Sequence, residues 1–370
     1  MNKILFLSPG PKYGLEKTYS DFCGHMSDDF TGVILTSSES SERGSISGFD
    51  IYFVKDKGLN SWRSTVKFFI FSLYFLLKDR LQGNKFDLIV TYDPLKTGLL
   101  GVVLSLLTGT KVAVEVNGDY PNPALYFTLG RFWGRFKRWL YVGVESFVLY
   151  FADGIKILYP TQLDGFKKIR KKTLIRCFFN FSNADAFKNI REEKEVLFIG
   201  FPLHIKGVDI LIEAYKGIES KYPDWKLKIM GYYPEGTGLE ELIGDSEYIY
   251  HHPPVERDVI PSHVGRCGFL VLPSRTEAMG RVLLEAMAAG KARIGSDAGG
   301  IPMVVNDGVD GLIFQTEDVD ALRHCLKTLI SNEDVRLKMG AAGRERFEKD
   351  FSERNYFKKI KEYYSAVLHS

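Results

Sequence analysis

Cysteine is scarce in this chain of 370 residues. Cys23, Cys177, Cys267 and Cys325 lie far apart with no C-x-x-C pair. That spacing argues against a disulfide framework or a zinc site and for reduced thiols in a cytoplasmic protein. A long hydrophobic run is also missing. No stretch reaches the roughly 20 apolar residues of a spanning helix. The longest uncharged runs, FFIFSLYFLL after Lys67 and TGLLGVVLSLLTGT between Lys96 and Lys111, read as buried or interfacial helices. Neither charge dominates: 49 Lys and Arg against 46 Asp and Glu leave +3. With no basic run resembling a nucleic-acid motif, nucleic acid is not an expected partner. The opening MNKILFLSPGPKYG has too short an apolar stretch for a signal peptide and no small-residue cleavage site, so it reads as a first strand. There is no P-loop and no G-x-S-x-G. The Ser-rich SSESSERGSISG (37–48) is expected to be a mobile loop.

What is present is ample apolar material, 45% of residues, arranged as strands alternating with helices. Residues 4–8, 32–37, 51–54, 87–92, 111–116 and 154–159 read as buried strands, with helices at 62–82 and 96–109 between them. The pattern breaks near CFFNFSNADAFKN (177–189) and restarts with strands at 195–200, 226–231, 248–252, 269–274 and 292–296. Helices at 206–221, 237–243, 256–264, 280–290, 317–331 and 333–348 separate or follow these. Val/Ile-rich strands alternating with helices predict parallel sheets covered on both faces. Length supports two domains, so the expected fold class is α/β, with two Rossmann-like parallel-sheet domains facing each other across a cleft. The expected boundaries are 1–185, 186–350 and a C-terminal amphipathic helix at 351–370 that packs back on the first domain. Ligands of such sheets bind at the carboxyl ends of the strands.

The densest chemistry lies in PSRTEAMGRVLLEAMAAGKARIGSDAGG (273–300). Glu277 and Glu285 have seven residues between them, the first just before an apolar-periodic helix and the second inside it. A helix N-terminus offers unpaired N–H groups and partial positive charge to a diphosphate. A carboxylate beside it can accept hydroxyl hydrogens from a hexose, and one two turns on can bind the hydroxyls of a ribose. Upstream, Gly200 ends a strand and Lys206-Gly207 opens the next helix, where a lysine is favoured only if it meets an anion. The loop SPGPKYG, with Gly10, Tyr13 and Gly14, either lets backbone approach a ligand or is a plain β–α turn. It is not G-x-G-x-x-G, which argues against a dinucleotide dehydrogenase. Asn117-Gly118-Asp119 ends a strand, as a polar site or as a turn. In LYFTLGRFWGRFKRWLYVGV (125–144) aromatics interleave with Arg131, Arg135, Lys137 and Arg138, with no acid. That pattern suits a helix on a membrane surface, or a core-packed aromatic face with a solvated basic one. Asp318-Val319-Asp320 matches a metal motif but reads as a helix cap, and His251-His252 lacks partners at metal-ligand spacing.

The pattern P-S-x-x-E-x-x-G-x-x-x-x-E-A-M-A-x-G with a later G-G-I-P, supported by K-G-V-D at 206–209, resembles the retaining, nucleotide-sugar-dependent glycosyltransferases of the GT-B fold, family-four type (glycosyl transferases group 1). The resemblance implies that Glu277 contacts the donor hexose and that backbone of Ala278, Met279, Gly280, Arg281 and Val282 meets sugar and diphosphate. It implies Glu285 on the ribose, Lys206 on the leaving diphosphate, and Gly10 and Gly14 where the first loop approaches donor and acceptor. Base contacts are expected from backbone near His252 to Val255. Asp119 and Tyr13 are assigned to the acceptor side. The implied donor is a UDP- or GDP-sugar, with no other cofactor and no metal. The implied acceptor is a glycan or lipid-linked hydroxyl on the cytoplasmic membrane face, as in surface-polysaccharide assembly. Departures are visible. Phe201 stands where the family often has Arg, with Arg281 as a substitute contact. Asn117 stands where it often has His; Asn cannot act as a base but can hydrogen-bond the sugar. Met303 and Ala292 replace a usual Glu and Pro. The rival readings are a nucleotide-sugar epimerase or a phosphorylase of similar shape, and a non-catalytic sugar-nucleotide-binding relative.

Overall fold

The computed structural model describes residues 1–370 apart from 9, 11–14, 39–43, 56–61, 84, 167 and 182–185. It contains two α/β units. One comprises Met1–Pro121, Leu129–Phe178 and Phe357–Ser370, and the other Asn122–Thr128 and Phe179–Tyr356. The boundary expected at 185 lies outside the described residues.

The first unit carries β1 (Asn2–Leu7), α1 (Leu15–Met26), β2 (Phe30–Ser38), β3 (Gly44–Ile46), β4 (Phe49–Lys55), α2 (Trp62–Leu81), β5 (Leu88–Thr91) and α3 (Lys96–Thr108). It continues with β6 (Lys111–Glu115), α4 (Arg131–Phe151), β7 (Gly154–Ile157) and β8 (Leu174–Cys177). The sheet order is β3-β4-β2-β1-β5-β6-β7-β8. Every pair is parallel except β3 with β4. Leu5, Leu7, Ile89, Val112 and Val114 sit in one apolar core with Leu104, Val148 and Leu149 from α3 and α4. Burial on both faces is what continuous apolar strands require. Strand order reverses between β1 and β5, so their carboxyl ends mark the switch point of this sheet.

Two expectations need correction here. Residues 44–46, read as part of a mobile loop, form β3. Ser47 and Gly48 both have positive φ (46° and 80°), and Ile46 pairs with Phe49. A two-residue turn of that hand matches strand twist and closes a hairpin. The segment 125–144 is not one helix. Pro123–Leu129 is a 3-10 turn, Gly130 caps α4 with φ 74°, and α4 starts at Arg131. A left-handed glycine ends one element and lets the chain re-enter another.

The second unit runs β9 (Glu195–Ile199), α5 (Val208–Lys216), β10 (Lys226–Met230), α6 (Leu239–Ile243), β11 (Ile249–His252), α7 (Ile260–Arg266), β12 (Phe269–Leu272) and α8 (Arg281–Ala288). After these come β13 (Ala292–Ser296), α9 (Ile301–Val304), β14 (Leu312–Phe314), α10 (Val319–Ser331) and α11 (Glu333–Arg346), and then α12 (Glu353–His369), which from Phe357 on counts with the first unit. Its sheet is wholly parallel in the order β11-β10-β9-β12-β13-β14. Order reverses between β9 and β12. Asp318 caps α10 by accepting from Ala321 N at 2.8 Å.

The end of α12 belongs to the first unit. Tyr364 Oη donates to Glu115 Oε1 at 2.8 Å, and Lys156 Nζ lies 3.3 Å from Glu115 Oε2. All three side chains are buried. Gly154 sits beneath this helix: a Cβ there would lie 2.4 Å from Val367 Cγ2. Removing one partner of a buried charge leaves that charge under-satisfied. Tyr364→Phe is therefore expected to cost about 1–3 kcal/mol in chemical denaturation, with the circular-dichroism spectrum unchanged. A loss below the error of the fit would show that this bond does not anchor the helix.

Candidate active site

In the second unit the switch point gathers the residues singled out by pattern. β9 ends at Ile199 and runs into Gly200, and β12 ends at Leu272 and runs into Pro273–Glu277. Lys206 comes from the turn after β9, Glu277 from the turn after β12, and their side chains form an ion pair. Both are partly shielded from solvent. Gly280 caps α8 with φ 70°. The first N–H groups of any helix lack intrahelical partners, so the start of α8 presents donors directly after Glu277. Arg281 stands exposed there, and Val282 is half-buried.

Backbone contact fixes this geometry. Gly207 has φ 66°, and a Cβ on it would lie 2.0 Å from Pro273 O. Gly299 has φ 53°, and a Cβ on it would lie 2.0 Å from Glu277 O. Gly300 N donates to that same carbonyl at 3.0 Å. Arg275, which the pattern reading passed over, is the main polar clamp. It bonds Asp209 through Nη1 and Nη2 (2.7 and 2.9 Å), Glu317 through Nε and Nη2 (2.6 and 3.1 Å), and His204 O at 2.6 Å. It thereby holds the turn that carries Lys206. Its signal was an arginine between two motif residues, with no partner nearby in sequence.

Glu285 lies on α8, mostly buried, with Arg281 Nη2 4.0 Å from its Oε1. Burial pushes its carboxyl up, opposed by Arg281 and Arg257. Gly200 is touched on both sides: Tyr233 Oη donates to Gly200 O at 2.6 Å, and a Cβ on Gly200 would lie 3.3 Å from Lys206 Cγ. Phe201 is half-exposed, with its ring 5.8 and 5.9 Å from those of Tyr232 and Tyr233. An aromatic surface thus occupies the position where a cation was expected. Val255 lies in the loop after β11, and Ala278 and Met279 complete the approach to Gly280.

Comparisons with known proteins bear on the family and the fold. Residues 181–346 match the family model for glycosyl transferases group 1. That stretch of the chain is similar to the glycosyl transferases group 1 family. A protein of Methanocaldococcus jannaschii, named an uncharacterized glycosyltransferase, is 32% identical over 197 residues, 52% of each chain. The chain thus spans about half the length of that relative. Among solved structures, sucrose-phosphate synthase from Thermosynechococcus elongatus superposes with TM-score 0.80 over 100% of both chains at 16% identity. Anabaena HepE in complex with UDP-glucose gives 0.72 over 98% of this chain and 99% of the other, also at 16%. These likenesses establish the GT-B fold.

Other expected site residues lie in the first unit. Gly10 (φ 123°) follows β1, and a Cβ on it would lie 2.6 Å from Ser37 O, so its freedom serves strand packing. Gly14 and Tyr13 lie outside the described residues. Asn117 Nδ2 donates to Tyr92 O at 2.8 Å, tying the loop after β6 to the one after β5. Gln162 Nε2 holds the same loop through Val116 O and Gly118 O, at 3.1 and 3.0 Å. Asp119 stands half-buried on that loop.

One residue near this loop escaped the pattern reading. Glu145 on α4 is fully buried, and neither carboxylate oxygen has a hydrogen-bond partner among the described residues. Burial first, then the charges of Asp119 and Asp93, push its carboxyl from the ordinary 4.5 up to about 8. In the pattern it is only a lone acid in an aromatic helix. Between those two values the unfolded chain ionises while the folded one keeps its proton. Stability tied to Glu145 is thus full below about 4.5 and lost as pH climbs to 8, by up to ~1.4 kcal/mol per pH unit. Glu145→Gln should remove that slope. The melting temperature of the unmodified protein is expected to fall against that of the variant from pH 5 to 8, and parallel curves would refute a neutral buried acid.

Proposed function

We propose that the protein is a retaining hexosyltransferase. It moves a sugar from a UDP- or GDP-sugar to a hydroxyl acceptor. The observation that carries this reading is the Lys206–Glu277 pair beside the start of α8, at the switch point of a parallel sheet. The anionic diphosphate suits the α8 N-terminus and Lys206, which take the role of a divalent cation. Glu277 accepts hexose hydroxyls, Glu285 the ribose hydroxyls, and Arg281 supplies the positive charge that Phe201 does not.

In the reaction the acceptor oxygen bonds to the anomeric carbon and the anomeric carbon–phosphate oxygen bond breaks. The acceptor proton passes to the leaving diphosphate, so no side chain of the chain is needed as base. Asn117 then serves as a hydrogen-bonding group toward the sugar, and Asp119 toward the acceptor. The second unit takes the nucleotide sugar and the first takes the acceptor. No helix among the described residues is long and apolar enough to cross a membrane. The exposed basic and aromatic side chains of α4 support a peripheral position on the inner face of the cell membrane, with a lipid-linked or surface-polysaccharide glycan as acceptor. HepE, whose fold this chain shares, was solved with UDP-glucose, which supports a nucleoside-diphosphate donor.

Thermal unfolding with a panel of nucleoside diphosphates and their sugars, in the presence of a chelator, checks the donor class. Ligand at about 100 times its dissociation constant should add roughly 2.7 kcal/mol. Silence across the whole panel would defeat the reading. Given an acceptor, Glu277→Ala should lower turnover by at least about 100-fold with melting unchanged, and near-normal turnover would remove Glu277 from the mechanism. Lys206→Ala should weaken the response to UDP or GDP, since it removes the charge that meets the diphosphate.

A further inference from the structure

α4 exposes more apolar surface than a solvated helix normally carries. Phe132 is 74% exposed and Trp139 71%, with Trp133, Phe136, Leu140 and Phe147 also on the surface. Phe132, Phe136, Trp139 and Phe147, with Gly143 between the last two, follow helical spacing, so they form one stripe. Arg131, Arg135, Lys137 and Arg138 are exposed on the same helix, and no acid occurs between 131 and 144. The stripe does not end at α4. α3 packs beside it and exposes Leu99, Leu106 and Leu107; α2 packs on α3 and exposes Ile70, Tyr74, Leu77 and Leu81. Large contiguous apolar patches mark interaction sites.

Between α3 and α4 the patch deepens into a groove of about 240 Å³, lined by Leu99, Trp139, Leu140, Gly143, Val144 and Phe147. Its lining is wholly apolar in side-chain type. Gly143 leaves it open: a Cβ there would meet nothing within 4 Å. An apolar groove beside a row of cations matches one class of partner, an amphiphile with a negative head and a hydrocarbon tail. A protein partner with an apolar face would leave Arg131, Arg135, Lys137 and Arg138 without counter-charges.

We propose that the α3–α4 face is an anionic-phospholipid site, with the headgroup on the α4 cations and one acyl chain lying in the Leu99–Phe147 groove. This deepens the peripheral membrane position given above, by naming the lipid class and the seat of its chain. α2 extends the face into the interfacial region. The aromatics sit at the headgroup level and the cations are drawn by the negative surface.

The test uses the full chain and vesicles of phosphatidylcholine alone or mixed with phosphatidylglycerol, without sugar nucleotide. Co-sedimentation is expected with the mixed vesicles and not with phosphatidylcholine, weakening with salt. Arg135→Glu with Lys137→Glu should cut binding by about fivefold or more per charge. Trp139→Ala should cut it by about tenfold or more. Gly143→Leu fills the groove and leaves every cation in place. It should abolish quenching of Trp139 by chain-brominated phosphatidylglycerol, while the far-UV spectrum and the melting response to nucleoside diphosphates stay those of the unmodified protein. Equal binding to both vesicle types, or full quenching in Gly143→Leu, would overturn the proposal. So would a dimer in sedimentation that Trp139→Ala dissolves, since a second copy would then own the face. Because no step involves donor or acceptor, a failure here leaves the transferase reading standing, and the nucleotide panel can fail without touching this result.

Discussion

The segment Pro273–Glu277 is held on both sides by backbone that has no Cβ. Gly207 comes against Pro273 O, and Gly299 comes against Glu277 O, each so close that any side chain atom would overlap the carbonyl. Both glycines have positive φ, so each position has two separate reasons to refuse another residue. The consequence is that three loops, after β9, β12 and β13, share one rigid seam at the carboxyl ends of their strands. Arg275 adds polar rivets to the same seam through Asp209, Glu317 and His204 O. Lys206 and Glu277 are therefore delivered by stiff backbone rather than by long mobile loops, which is what a preorganised charge site requires.

An ion pair of this kind is poised. In the absence of an anion, Lys206 satisfies Glu277 and each charge is partly desolvated. On the proposed reading, a diphosphate at the start of α8 would give the lysine a second anionic partner and free the carboxylate to accept hydroxyl hydrogens. The carboxylate would then exchange its charge partner for hydroxyl hydrogen bonds, so it would not be left unsatisfied. Glu285, one turn along α8, sits in a buried setting that pushes its carboxyl up. On the proposed reading, the two hydroxyls of a ribose would supply it with donors.

How much of this was legible in the residues depends on range. The strands were readable because continuous runs such as FLVLPS and EVLFIG suit sheets covered on both faces, and those runs are β12 and β9. The pairing of Lys206 with Glu277 was suggested by two motifs, each strong in itself. Arg275 was not, because its partners Asp209 and Glu317 lie 66 and 42 residues away, and no local spacing encodes them. β3 was missed because the Ser-rich run hides a two-residue turn whose second position is Gly48. The break at Gly130 was missed because aromatic and basic residues continue across it without a change in pattern. Glu145 was invisible for a different reason: a single acid on a helix carries no signal until burial is known.

The first unit shows a contrast that follows from α4 doing two jobs. Its inward side ends in Val148 and Leu149, packed in the core, and in Glu145, buried with no hydrogen-bond partner among the described residues. Its outward side carries the aromatics and cations. A helix that must present Trp133 and Trp139 to the outside cannot be held by its outer face, so the inner face has to anchor it alone. Gly134 is the one buried position in its first turns, and α3 packs against the remainder. The same helix places Glu145 beside Asp119 and Asp93, at the carboxyl ends of β6 and β5. Ionisation of that carboxyl would set three negative charges together beside the loop that carries Asn117 and Asp119.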